Sequence, residues 1–464
     1  MKHRVLDPRD VDVGLREKYD VRGPRYTSYP PAPHFAQQDA DALTGRWQAR
    51  NGLAEDPGLS LYLHVPFCRS RCLFCGCHTL GRRPDEQVDA HLDQLEAEMA
   101  LVNGVVDPGR PVRQVHLGGG TPNFLSVSQI HRLLGALEER FDLQPDAERS
   151  VEMEPRSATP AKIDAFMEHG FERFSLGVQD FDATVLEAVR RDQALVQVEE
   201  VVAHLRQRGC GEINFDLIYG LPGQTVASRD ATLDKVRALR PTRIALYSYA
   251  HVPWMQKHQR VLEDRGLPDP DLKVELFVGL ARGLVDAGYV PVGMDHFALP
   301  DDPLVAALEA GTLRRTFMGY TTGRGLDTVG MGISAISWVG SSYTQNHKDM
   351  AHWRDAVLSG QLPWLRGFLL SEDDELRREL ILELSCTMAC DLGALGERFA
   401  LDALEYFAEE LALLAPLEAD GLVELAGAVI RVTELGRLFV RNVCMVFDRY
   451  LERDPAQRRY SRTV

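Results

Sequence analysis

Between Ser60 and about Ala250, short apolar runs alternate with longer stretches whose apolar residues recur at helical spacing. That alternation predicts parallel strands joined by helices. Six strands are expected, at Ser60–Val65, Gln114–Leu117, Ser150–Met153, Arg173–Leu176, Ile213–Leu217 and Ile244–Tyr249. Helices are expected between them over Asp85–Leu101, Ser126–Phe141 and Ala194–Arg208. Periodicity alone does not separate a βα barrel from an open doubly wound sheet. The polar and glycine-rich residues, however, cluster just past the strand ends, where βα barrels place their chemistry. A further helix, Asp271–Ala287, precedes a short extra strand at Gly288–Val292.

The flanks read differently. Residues 1–55 are polar and turn-rich, and the prolines of Pro24-Arg25-Tyr26-Thr27-Ser28-Tyr29-Pro30-Pro31 force extended backbone, so this segment is expected to be an arm. Residues 56–365 would form the barrel with an extension, and residues 366–464 a mostly helical domain. In that domain helical spacing covers Glu372–Cys390, Asp402–Leu414 and Arg437–Leu451, with a strand–turn–strand over Leu422–Val432, a winged-helix-like silhouette. Such a shape often binds DNA, but Glu405, Glu409, Glu410, Glu418 and Asp420 would repel phosphates.

With 464 residues the chain is long enough for two or three domains. Its net charge of −16 and lack of a basic block argue against a nucleic-acid partner, so an anionic ligand needs a local basic pocket. The start, Met1 to Pro8, has no apolar signal core, and no run of about 18 apolar residues could span a bilayer. A cytoplasmic protein without a membrane partner is expected.

Four of the eight cysteines fall between Cys68 and Cys77, directly after the first strand. One tight cluster in a long chain reads as metal binding in a reducing compartment rather than as a disulfide scaffold. The C-x-x-x-C-x-x-C core of Cys68, Cys72 and Cys75 offers three soft thiolates from one loop, the donors that hold iron–sulfur cubanes. Three ligands for four irons leave one iron open to a co-substrate. The rival is a structural zinc site of Cys68, Cys72, Cys75 and Cys77, but zinc sites usually pair two short units across a longer loop, and no second unit follows. Cys386 and Cys390, four apart on a predicted helix, and Cys210 and Cys444 read as core residues. A second signal is Gly118-Gly119-Gly120-Thr121-Pro122 after the second strand, where missing side chains expose backbone to a ligand. Alone it could be a tight turn.

With Phe74 between the last two cysteines, the loop resembles the radical S-adenosylmethionine superfamily. Further motifs narrow the likeness: Arg25-Tyr26-Thr27-Ser28-Tyr29-Pro30, Tyr62-Leu63-His64-Val65-Pro66-Phe67-Cys68, Gly177-Val178-Gln179-Asp180-Phe181, Asp216-Leu217-Ile218-Tyr219-Gly220-Leu221-Pro222, Tyr249-Ala250-His251-Val252-Pro253, Met294-Asp295-His296-Phe297-Ala298 and Arg441-Asn442-Val443-Cys444-Met445. From arm to C-terminal region the chain resembles the oxygen-independent coproporphyrinogen III oxidases; haem-chaperone-like cousins lack the arm motif. The resemblance implies a partial (βα)6 radical-SAM barrel of α/β class, a [4Fe-4S] cluster on Cys68, Cys72 and Cys75, and two S-adenosylmethionine molecules. The cluster-bound molecule would meet Tyr62, Gly119, Glu152 and Ile336; the second would meet Phe74, Gly120, Thr121, Gln179, Arg191, Asp216 and Ala250. Singly, Glu152 and Asp216 could be solvated strand-end acids, Tyr62 a core aromatic, and Arg191 a partner of Asp192 or Glu187.

The implied activity is radical decarboxylation of two propionates of coproporphyrinogen III to vinyl groups, giving protoporphyrinogen IX in haem biosynthesis. A low-potential electron donor is needed, and a monomer is expected. Arg25, then Arg22, would close the pocket over propionates, because guanidinium–carboxylate pairs are strong. His64 would hydrogen-bond near the cluster or a propionate, or simply pack. Two departures stand out. The family usually reads Gln where Met318 stands, and Lys where Leu299 stands; Met lacks a donor, which leaves room for a paralogue acting on another tetrapyrrole. A haem-binding or haem-transfer protein with the same barrel is the other alternative.

Overall fold

The computed structural model describes residues 11–323, 325–452 and 460–463. Six parallel strands, β1 (Leu59–Val65), β2 (Pro111–Gly119), β3 (Asp142–Met153), β4 (Arg173–Gln179), β5 (Glu212–Tyr219) and β6 (Arg243–Ser248), lie side by side in sequence order. A doubly wound sheet reverses its strand order at a switch point. This sheet does not, so its helices stay on one side and the strands curl into a partial barrel. Each predicted strand is present; the first five are one to several residues longer than the apolar pattern alone marks, and the sixth has the same length but starts one residue earlier.

The barrel does not close on itself. Beyond β6 the sheet continues antiparallel through β8 (His296–Ala298) to β7 (Val290–Val292). A hairpin of β9 (Arg314–Thr316) and β10 (Gly319–Thr321) crosses the opening. On the other flank β11 (Asp327–Met331) pairs parallel with β1 and leads into antiparallel β12 (Ile336–Val339), β13 (Ser342–Asn346) and β14 (Trp364–Leu369).

Alternation on β1 explains how the sheet is used. Leu59, Leu61, Leu63 and Val65 are fully buried under the outer helices, whereas Ser60, Tyr62 and His64 point the other way. The same parity puts Gln114 and His116 beside them, then Glu148, Ser150 and Glu152, then Arg173, Ser175 and Gly177. A strand with one apolar face is usually read as half solvated; here the polar face lines a lumen. At its floor Arg173 bridges Glu148 and Glu212, and Arg243 lies 2.5 Å from Asp302 and 3.6 Å from Glu212.

The flanking segments are more ordered than their sequence suggests. Residues 11–55 carry helices Val13–Tyr19 and Ala40–Gln48. Tyr26 and Tyr29 are buried in the C-terminal core with Phe439, Val443 and Phe447, and Tyr26 donates to Asp448 at 3.0 Å. In the C-terminal region the helix expected over Glu372–Cys390 ends at Thr387. Met388 there turns left-handed and Cys390 sits on β15 (Ala389–Asp391), so Cys386 and Cys390 do not share a helix face. β16 (Val423–Ala426) and β17 (Val429–Val432) form the expected hairpin, with β15 as third strand. The helix expected over Arg437–Leu451 is confined to Val440–Val446, and that over Asp402–Leu414 breaks at Phe407 between two short helices. Among the described residues no helix is long and apolar enough to cross a membrane.

One buried acid locks the β1 side. Glu98, on the Asp85–Asn103 helix and 1% exposed, accepts from Gly332 N at 2.8 Å, Asn346 Nδ2 at 2.6 Å and Trp353 Nε1 at 3.0 Å. Glu98→Ala strands three donors in the core and is expected to cost about 3–5 kcal/mol. Urea unfolding of the apoprotein measures this, and Trp353→Phe, which removes one donor, is expected to cost far less of the polar contribution.

Candidate active site

The C-terminal ends of the barrel strands open on a cavity of about 490 Å³. The cysteine loop forms one wall: Cys68, Cys72, Cys75 and Cys77 all line it, as does Phe74. The loop is pinned at its base by Cys68 N–H to Leu80 O (3.1 Å) and Leu80 N–H to Pro66 O (2.6 Å). It is pinned from outside by side chains about 180 residues away. Gln256 donates to Gly76 O (3.0 Å), His258 to Cys75 O (2.9 Å) and Gln259 to Phe74 O (3.0 Å), so a distant segment orients the loop's carbonyls. Leu73 anchors it in an apolar nest with Val185, Val189, Leu221 and Leu262.

The thiols are not equivalent. Cys75 is held down at about 7, chiefly by the hydrogen bond from Cys77, whereas burial pushes Cys68 up to about 11. Cys72 receives Arg191 Nη1 at 3.6 Å, and Cys68 Sγ lies 3.5 Å from Thr121 Oγ1. Among the described residues no three His, Cys, Asp or Glu side chains converge on one point. A mononuclear zinc site needs such a point; a cubane takes each thiolate on a different iron. Three soft donors along one cavity wall suit the cluster.

The glycine turn is sterically obligatory. Gly119 has φ +109°, and a Cβ there would stand 2.5 Å from the His64 ring. A Cβ on Gly120 would stand 2.7 Å from the Phe67 carbonyl oxygen. The bare backbone thus passes directly beneath the cysteine loop, with Thr121 following on the wall.

Opposite stand two acids whose pKa values move in opposite directions. Burial would raise the Glu152 carboxyl, but His116 at 3.4 Å and the Gly119 N–H at 3.3 Å outweigh it and hold the group below its usual range. Asp216 is pushed up to about 6 by burial and by the Glu152 charge, against donors from Ser175 and Asn214 at 2.9 Å each. Gln179, at φ +71°, and Ala250 complete that rim. Arg191 lines it too, but its expected partners Asp192 and Glu187 are not the ones it uses. It hydrogen-bonds Gly177 O and Gln193 Oε1 and lies 4.0 Å from Glu154.

Three named residues stand off the wall. Tyr62 stacks on His116 (5.9 Å, 17°) and donates to His64 Nδ1 at 2.9 Å. His64 Nε2 faces His78 O at 2.9 Å, so that nitrogen carries the proton and Nδ1 accepts. Burial lowers His64 to about 4, so near pH 7 it is a neutral strut and not a proton donor. Ile336, on β12 beyond β11, packs with Phe35 and Tyr343. Arg25 reaches the cavity from the arm, donating to Ser248 O at 2.8 Å, and Met318 lines it from the β9–β10 turn. Arg22 instead lies over the Trp254 ring at 4.6 Å. Sequence reading missed His116, Ser175, Asn214, Tyr247 and His296, all on the wall. Counting back by two from Glu152 and Asp216 would have found Ser150 and Asn214; nothing local announces Gln256, His258 and Gln259.

Residues 62–236 match the family model of the Radical SAM superfamily, and residues 370–439 that of the HemN C-terminal domain. The oxygen-independent coproporphyrinogen III oxidase of Salmonella typhimurium is 42% identical over 456 residues, 98% of this chain and 99% of that protein. That of Synechocystis sp. is 39% identical over 459 residues, 98% of each chain. The solved coproporphyrinogen III oxidase (HemN) from Escherichia coli, described as a Radical SAM enzyme, superposes with a TM-score of 0.89 at 40% identity, covering 97% of this chain and all of that one.

A raised carboxylate pKa stabilises the fold only while protonated. Asp216 therefore contributes nothing unfavourable below about pH 4 and costs stability progressively as pH rises through about 6. Asp216→Asn is expected to melt with the wild-type apoprotein at pH 4 and to be more stable at pH 8, by on the order of 1 kcal/mol. Thermal melts across that range read the difference.

Proposed function

The chain belongs to the oxygen-independent coproporphyrinogen III oxidases of the radical S-adenosylmethionine superfamily, and from that premise we infer that it converts two propionates of coproporphyrinogen III to vinyl groups, yielding protoporphyrinogen IX. The observation that carries this reading is the three-cysteine loop facing a polar barrel cavity that an arm arginine overhangs. A [4Fe-4S] cluster and S-adenosylmethionine would together supply, when bound, the 5′-deoxyadenosyl radical that takes a β-hydrogen from a propionate; carbon dioxide then leaves and one electron passes to an acceptor outside this chain, which completes each vinyl group.

This chain's residues would do the rest. Cys68, Cys72 and Cys75 hold the cluster, with Cys77 as a donor to Cys75 and not a fourth ligand. Glu152, ionised and beside the bare backbone of Gly119 and Gly120, suits a charged amino group. Asp216, Gln179, Thr121, Arg191, Phe74 and Ala250 form the wall on which a second S-adenosylmethionine would rest. Tyr62 and His64 brace His116 and so position Glu152. Residues 1–55 act as the arm that brings Arg25 to a propionate, residues 56–365 as the barrel, and residues 366–464 as the body that holds the arm in place. Ile336 would reach the cluster-bound molecule only if that molecule extends to β12. The protein works as a cytoplasmic monomer served by a low-potential electron donor.

Anaerobic, reconstituted protein given S-adenosylmethionine, a reductant and coproporphyrinogen III is expected to give vinyl product; deoxyadenosine without vinyl product would sink the reading. Cys72→Ser is expected to lose the brown cluster absorption and both products. Met318→Gln restores an amide to the wall; one hydrogen bond of about 1 kcal/mol corresponds to roughly fivefold, expected as faster vinyl formation at an unchanged cluster spectrum. An unchanged rate would show that this position tolerates either side chain.

A further inference from the structure

Behind Arg25 lies a second, smaller cavity of about 70 Å³, room for about two waters at ~30 Å³ each or for one carboxylate head. Arg25 and Ser248 line both cavities, so the two adjoin at that point. The small one is walled by Arg25, Lys273, Arg315, Arg437 and Arg441, with Asp295 as its lining acid. In a chain of net charge −16 this is a concentration of cations.

Their charges are poorly matched. Arg441 spends its guanidinium on backbone carbonyls of Gly23, Pro24, Arg462 and Thr463. Among the described residues the Arg25 guanidinium donates one hydrogen bond, to Ser248 O. Arg315, 7% exposed, donates Nη1 to Arg25 O at 2.6 Å and lies 3.7 Å from Asp295, while its Nε has no partner. Arg437 donates to Gly293 O at 2.6 Å and is 3.9 Å from Glu434, and Lys273 is attracted by Asp20 and repelled by Arg25, Arg441 and Arg462. Asp295 itself is shared with His296 at 2.7 Å. Two guanidiniums, of Arg25 and Arg315, thus share the one lining carboxylate, Asp295, with the Arg441 guanidinium beside them held by backbone carbonyls. Buried charge without a partner is costly, and a planar fork with open donors fits a carboxylate.

We propose that this pocket binds the carboxylate of a propionate that is not reacting, so that the tetrapyrrole is held by one arm while another is presented to the radical. The inference rests on the substrate assignment above and assigns a subsite within it. The other carboxylate that could reach the pocket is that of S-adenosylmethionine. A pocket joined to the main cavity at Arg25, on the β6 and C-terminal side and not at the cysteine loop, favours the tetrapyrrole.

The test uses full-length reconstituted protein titrated with coproporphyrin III, the air-stable relative of the substrate, with its tetramethyl ester, and separately with S-adenosylmethionine. Arg315→Gln is expected to raise the Kd for coproporphyrin III about tenfold, leaving ester and S-adenosylmethionine binding unchanged; Arg315→Lys recovers part of the loss. Unchanged coproporphyrin III affinity, or a loss confined to S-adenosylmethionine, overturns the proposal. Should Arg315→Gln not fold, Lys273→Met, on a different element, is read by the same criteria. Wild-type turnover measured alongside separates the two ideas: absent vinyl product counts against the oxidase assignment, whereas turnover with unchanged variant affinity counts against the pocket alone.

Discussion

Everything in this molecule follows from a sheet that hides its apolar face outward. Because Leu59, Leu61, Leu63 and Val65 seat against helices, their alternate neighbours must meet one another inside the curl. A polar lumen is expensive unless its groups are paired. The strands solve this in layers, with ion pairs at the floor, a band of histidine, serine and asparagine above, and carboxylates with exposed backbone at the mouth. The carboxylates, the glycine backbone and the thiols that the chemistry needs are gathered at the mouth, above this paired floor.

The mouth is also where separate parts of the chain have to agree. A ten-residue cysteine loop has too few internal hydrogen bonds to fix three sulfurs, so its orientation is borrowed from residues 256–259 and from the glycine turn below. The neutral His64 shows the same economy. Its ring fills the space that Gly119 vacates and passes a hydrogen bond between Tyr62 and the His78 carbonyl without carrying charge toward the thiols.

The barrel strands and the cysteine loop were legible because both are local. Period-two alternation and ligand spacing are written within a few residues. Strand order resolved what periodicity could not, since sheet winding is a property of non-neighbouring segments. Glu152 and Asp216 were legible as strand-end acids, but the opposite directions in which their pKa values move were not, because burial raises both and only Glu152 has His116 and the Gly119 N–H to outweigh it. The over-long helices at Glu372–Cys390 and Arg437–Leu451 arose from apolar spacing that continues after the backbone has turned. Cys390 keeps the helical interval yet is buried by a strand pairing with Ile430. The arm looked detached because its tyrosines find their partners more than 400 positions away.

That last pairing ties the two ends of the described chain together. Arg22 bridges Arg462, and Arg441 grips the carbonyls of Gly23 and Pro24, the residues that set Arg25 over the cavity. During synthesis the cysteine loop and barrel emerge hundreds of residues before the segment that clamps this roof. Nothing grips Gly23 and Pro24 until Arg441 has been made, so the roof that carries Arg25 is among the last features the chain can set.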